Sequence, residues 1–186
     1  MRLVKLALEP LSQDAFAPFG QVIAKKSSPP VFTGTSLESW PFDFSIDGTV
    51  ELMLNRFHYR DIEFTMIERH FHVTQTFLPL GGMPMAMVVA APTDPADWSA
   101  IPRPEDLHAF YVDGTQGIMM WRGTWHALHR FPVRPPHVDI GLITEAETQH
   151  ELEVEREGGG APKRTQAVDL KSVEGVRVRA VDPENL

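Results

Sequence analysis

The sequence predicts an all-β fold, a closed barrel or jelly roll with one short helix near the N-terminus. Two observations carry this reading. Sixteen prolines and thirteen glycines punctuate 186 residues, which suits many short strands joined by tight turns. From Val50 to Thr144, short apolar or alternating runs recur, each bounded by Gly, Pro or Asp, with almost no helical periodicity between them.

Taken in order, Leu3–Leu8 alternates and forms a first strand. Ser12 is a good N-cap for a helix over Gln13–Ala17, which Pro18 and Gly20 close. Strands follow at Gln21–Ala24, Glu51–Tyr59, within Asp61–His72, and at Thr74–Leu80. Met85–Ala91 is a continuous apolar run too short for a typical helix, so it reads as a buried strand, with Met83, Met85 and Met87 as core packing. Pro92–Pro104 is a loop. Leu107–Val112, Gly117–Trp121, Trp125–Phe131 and Val138–Thr144 complete the strands. The acidic run Glu145–Glu157 reads as a solvated face, and Gly158–Gly160 as a joint. The expected division is a barrel domain over 1–150 and an extension over 151–186 that adds a strand or stays flexible.

Composition narrows the function. A formal charge of −8 argues against nucleic acid or an anionic membrane as the main partner. The absence of cysteine rules out disulfides and thiolate zinc sites. The longest apolar run falls far short of the ~20 residues of a spanning helix, and Glu9 and Pro10 interrupt the N-terminal apolar residues too early for a signal peptide. A soluble, cytoplasmic protein is expected.

The chemistry concentrates in Glu68-Arg69-His70-Phe71-His72-Val73-Thr74-Gln75. On a strand, side chains two apart share a face, so a strand through this stretch would turn Glu68, His70 and His72 one way. A carboxylate with imidazoles suits acid/base work or a metal. Trp121-Arg122-Gly123-Thr124-Trp125-His126 is the segment expected to supply the missing partner. Taken singly, a histidine on an apolar strand is more often a hydrogen-bonded structural residue than a ligand, and the structural alternative for Arg56 is an ion pair on a sheet face and for Arg122 the cap of a turn.

This pattern resembles the cupin family of jelly-roll barrels. Glu68, His70 and Gln75 fall on the first cupin motif, and Gly123 with His126 on the second, with Glu68 in place of the usual histidine and Gln75 in place of the usual glutamate. More closely, the chain resembles the ureidoglycolate lyase family. The pieces are Leu11-Ser12, Ala15–Ile23, Arg56, Glu68-Arg69-His70, Thr74-Gln75, Phe77–Pro79, Ala109-Phe110, Gly114, Gln116-Gly117 and Gly123–His126, in family order. Ala127 and Leu128 depart from the family's usual second histidine and proline.

The resemblance implies a cupin-type jelly-roll β-barrel, a homodimer, and cleavage of ureidoglycolate to glyoxylate and urea. It implies Glu68, His70 and His126 as catalytic residues. A nickel-like divalent ion, if bound, is expected on Glu68, His70, Gln75 and His126. Arg56, then Arg122, is expected to hold the substrate carboxylate, because the guanidinium fork matches it; Gln75 and His72 are expected to line the pocket. Two other readings stay open: a non-haem iron oxygenase using Glu68, His70 and His126, and a non-catalytic small-acid binder on the same barrel.

Overall fold

Alternating burial sets the architecture. A computed structural model describes residues 1–181. The first half contains β1 (Arg2–Pro10), α1 (Gln13–Phe16), β2 (Gly20–Ile23), β3 (Phe32–Thr33), β4 (Glu38–Ser39), β5 (Val50–His58), β6 (Glu63–Phe64), β7 (Met66–His70), β8 (Thr76–Leu80) and β9 (Met85–Ala90). The second half contains β10 (His108–Val112), β11 (Gly117–Met120), β12 (Trp125–Ala127), β13 (Phe131–Pro132), β14 (His137–Glu145), α2 (Ala146–Arg156), β15 (Thr165–Asp169), α3 (Leu170–Glu174) and β16 (Val176–Val181). The larger sheet runs β15-β7-β12-β9-β10-β1-β16-β6, with β13 on β9, and the smaller runs β2-β11-β8-β14-β5.

The two sheets enclose one apolar core, in which Met85, Met87 and Val89 meet Phe77, Ile118, Met120, Ile140 and Leu142. The opposite face of β9 carries Ala86, Val88 and Ala90 into a second core with Leu8, Trp125, Phe131, Val176 and Val178. β9 is therefore buried on both faces, which explains its unbroken apolar run. β6 passes into β7 through the single residue Thr65, so the larger sheet curls back around this second core. The all-β, cupin-like barrel and its capped N-terminal helix are as expected; the Ser12 hydroxyl accepts from the Ala15 N–H at 3.1 Å.

Two local expectations are corrected. The strand through the key stretch ends at His70 rather than running on to His72. A bend at Phe71–His72 follows, with the Phe71 N–H bonded to the Arg164 carbonyl at 3.0 Å. The acidic run after Glu145 is a helix, α2, and not simply a solvated face. Glu, Gln, Leu and Arg are good helix formers. Glu147, in the first turn, accepts from the Thr49 N–H and hydroxyl at 2.9 and 2.8 Å, where a negative charge suits the helix dipole. Glu145 just before it is fully buried and paired with Arg164 at 2.7 Å. The division expected after residue 150 falls inside this helix.

The segment after α2 packs. β15 pairs antiparallel with β7. α3 ends at Gly175, whose φ of 65° is a left-handed conformation that glycine adopts without strain. β16 then runs parallel to β1. Val176, Val178 and Ala180 point into the second core, while Arg177 and Arg179 reach out to Glu63. Leu170 is fully buried there. Leu170→Ala is expected to destabilise the protein by about 2–5 kcal/mol in urea unfolding. A loss well below that would mean the C-terminal segment contributes little to the core.

Candidate active site

The site is built by register. β7 lies between β12 and β15, with Glu68 opposite His126 and Thr165 opposite His70. Directly paired residues of an antiparallel sheet share a face with their Cβ atoms ~5 Å apart. Their neighbours Ile67, Trp125 and Ala127 point the other way, into the second core. The alternation therefore turns Glu68, His70, His126 and Thr165 together into the interior between the two sheets. Gly123, at φ 76°, makes the turn before β12, with its N–H on the His70 carbonyl at 2.7 Å.

The Glu68 Oε1 atom lies 3.7 Å from His70 Nε2 and 3.8 Å from His126 Nδ1. The two imidazoles are 5.2 Å apart, centroid to centroid. One ligand atom from each of the three residues falls within a 4.8 Å group. Burial governs their protonation. It raises the Glu68 carboxyl to about 7, and the Arg130 charge opposes this only in part. Burial and then Arg130 lower His70 to about 3 and push His126 well below its ordinary value. Both rings are therefore neutral around pH 7. His126 Nδ1 lies 2.9 Å from the Ala127 carbonyl, an acceptor, so the neutral ring carries its proton there and presents Nε2 as a lone pair. Among the described residues that Nε2 has no hydrogen-bond partner and is buried.

Arg130 is the residue the sequence reading missed. It is 3% exposed, stacks on Phe77 at 4.1 Å and donates to the Ala127 carbonyl at 2.6 Å. Its Nε is buried without a partner, and no carboxylate among the described residues lies within ion-pair distance of it. Burial lowers it to about 10 and Glu68 works against this, so it remains a cation around pH 7. Even spacing from His126 was no guide to it: the strand expected over Trp125–Phe131 is broken, since β12 ends at Ala127 and a bend at Leu128–His129 precedes Arg130.

The other expected residues lie elsewhere or are differently engaged. Arg56 is on the outward face of β5, 52% exposed and paired with Asp139 through two hydrogen bonds of 2.7 and 2.8 Å. The structure does not bring it to the Glu68 cluster. Arg122 and His72 instead gather around Asp47: Arg122 donates to both its carboxylate oxygens at 2.9 and 2.8 Å, and His72 Nδ1 lies 2.9 Å away. These contacts, Arg122 first, hold Asp47 below its ordinary pKa. The buried Gln75 bonds Thr144 through Nε2 at 3.4 Å, and its Oε1 has no partner among the described residues.

The donor set fits a divalent metal: one carboxylate, two neutral imidazoles, and an unpartnered lone pair on His126. Glu68, His70 and His126 are the residues that would hold one. The nearby Arg130 charge acts against a cation and in favour of an anionic substrate.

A carboxyl of raised pKa, two neutral imidazoles and a buried guanidinium lie near one another inside a cupin-like barrel, a set of groups chemically suited to proton transfer. The family model described as ureidoglycolate lyase matches residues 3–156. The ureidoglycolate lyase of Azotobacter vinelandii is 33% identical over 166 residues, covering 83% of this chain and 87% of that protein. Ureidoglycolate lyase 1 of Rhizobium meliloti is 33% identical over 163 residues, covering 83% and 84%, and the Brucella anthropi ureidoglycolate lyase 31% over 161, covering 82% and 90%. The chain belongs to the ureidoglycolate lyase family.

The Glu68 shift has a stability consequence. Its folded pKa lies above its ordinary value, so between about pH 4.5 and 7 the folded state holds a proton that the unfolded state releases. Stability therefore falls as pH rises through that window. In metal-free protein, Glu68→Gln should gain up to about 3 kcal/mol over the parent above pH 7 and nothing at pH 4. Parallel urea titrations check this; a pH-independent difference would contradict the burial of the charge.

Proposed function

We propose that this chain cleaves ureidoglycolate to glyoxylate and urea, as a carbon–nitrogen lyase of the amidine-lyase type. Besides family membership, the observation that carries this reading is Arg130. A buried guanidinium without an ion-pair partner, beside a carboxyl and two neutral imidazoles, is the arrangement a small carboxylate substrate needs.

Ureidoglycolate is a carbinolamine bearing a carboxylate. Its hydroxyl loses a proton as the carbonyl of glyoxylate forms, the C–N bond breaks, and the urea nitrogen gains a proton. Arg130 binds the substrate carboxylate. Glu68, with a pKa of about 7, is poised to accept the hydroxyl proton and return one to the leaving nitrogen. The His126 Nε2 lone pair accepts a substrate hydrogen bond, and His70 holds its Nε2 edge toward Glu68. Gln75 Oε1 accepts from the urea N–H groups. A divalent ion on Glu68, His70 and His126, when bound, supplies Lewis-acid polarisation of the hydroxyl. Gln75 would be a weaker fourth ligand of that set, in place of its contact to urea. Arg122 and His72, both held by Asp47, are proposed as secondary substrate contacts.

Purified protein should release glyoxylate from racemic ureidoglycolate above the spontaneous rate, and chelation followed by metal restoration tests the need for an ion. Glu68→Gln and His126→Ala should both lose activity. Arg130→Met should lose about 10- to 100-fold in kcat/KM, mainly through KM, and Arg56→Met much less. An equal loss in Arg56→Met would return the carboxylate anchor to Arg56. Turnover that requires oxygen and bound iron would instead support the oxygenase reading, and tight binding without turnover the binder.

The homodimer is proposed on one further observation. Val50, Leu52 and Leu54 project outward from edge strand β5 and are 54%, 72% and 67% exposed. Such an apolar edge favours pairing with a second copy about a two-fold axis. Leu52→Glu with Leu54→Glu should shift the species seen by light scattering from dimer to monomer. A double variant that remained dimeric would place the interface elsewhere. No helix among the described residues is long and apolar enough to cross a membrane, and a cytoplasmic setting is part of the same proposal.

A further inference from the structure

The Glu68 cluster has a participant from outside the segment that identifies the family. Thr165 opens β15, beyond the matched residues 3–156. It is fully buried, stands directly opposite His70 in the β7–β15 register, and places Oγ1 2.8 Å from His70 Nδ1. No other hydrogen bond of this hydroxyl is found among the described residues, so the contact accounts for both groups.

We infer that Thr165 is a positioning residue for His70, and that the C-terminal segment completes the active site by supplying it. A buried imidazole held at one nitrogen has its other nitrogen fixed in direction. With Nδ1 tied to Thr165, His70 Nε2 faces Glu68 at 3.7 Å. A hydroxyl both donates and accepts, so Thr165 holds the ring in either neutral tautomer, whereas a carbonyl at that position would permit only the proton on Nδ1. The seat of Thr165 depends on the packing of the whole segment. Glu151 of α2 accepts from the Lys163 and Arg164 N–H groups at 2.8 and 2.9 Å just ahead of it, and Leu170 anchors the far end of β15 in the second core. Docking of the segment is thereby coupled to the alignment of a residue in the proposed catalytic group.

This inference rests on the lyase reading, and the test separates the two. Thr165→Val keeps the shape and removes the hydroxyl; Thr165→Ser keeps the hydroxyl. Kinetics on ureidoglycolate and the ¹⁵N shifts of the His70 ring are measured for the parent and both variants in the full chain. The expected result is a fall in kcat of about 10- to 100-fold in Thr165→Val with KM little changed, recovery of most of it in Thr165→Ser, and altered His70 Nδ1 and Nε2 shifts in the valine variant alone. Thermal melts identify the folded fraction for normalisation. A folded Thr165→Val with parental kcat and unchanged His70 shifts overturns the inference and leaves Thr165 a structural residue. If the parent itself fails to release glyoxylate, the lyase reading falls, and the ¹⁵N shifts alone still decide whether Thr165 orients His70.

Discussion

The site depends on one constraint, the antiparallel register that sets β7 between β12 and β15. A shift of one residue on either side would turn His126 or Thr165 into the second core and Trp125 or Gln166 into the first. The register is held from both faces. Ile67, Trp125 and Ala127 pack into one core, while Phe77, Met87 and Val89 line the other beside the polar residues. The polar cluster thus occupies positions that the apolar packing of its neighbours has already determined.

Burial then sets the chemistry. Two imidazoles taken out of water lose their affinity for protons, and a carboxyl taken out of water keeps its proton to a higher pH. Arg130 carries the compensating positive charge, but it forms no short ion pair with Glu68. A fully paired guanidinium and carboxylate would neutralise each other and offer a substrate little. Held apart, Arg130 retains unused donors and Glu68 stays near the pKa suited to proton transfer. The paired clusters elsewhere show the contrast. Arg56 with Asp139, and Arg177 and Arg179 with Glu63, are partly exposed groups in direct ion pairs.

Several features were legible in the sequence because they are local. The Ser12 cap, the doubly buried β9 and the same-face spacing of Glu68 and His70 follow from short-range periodicity and side-chain chemistry. The extent of β7 was read too far because the chain bends at Phe71–His72 and then pairs with Ser45–Asp47, a segment distant in the chain. Helix α2 was missed because a run dense in Glu reads as solvated charge, while its actual partners, Thr49 and Arg164, come from other segments. Arg56 attracted attention as an arginine in a family-like position, yet its direction depends on which face of an edge strand meets Asp139.

The sequence by itself determined the all-β class, the family resemblance and the clustering of a carboxylate and imidazoles, since strand alternation and residue chemistry are written within a few positions of one another. Only the tertiary structure decided which arginine accompanies them and that a threonine from the C-terminal segment meets His70. Those choices rest on the pairing of β15 with β7 and on how deeply the Arg130 side chain is buried, and neither pairing nor burial depth is a local property of the chain.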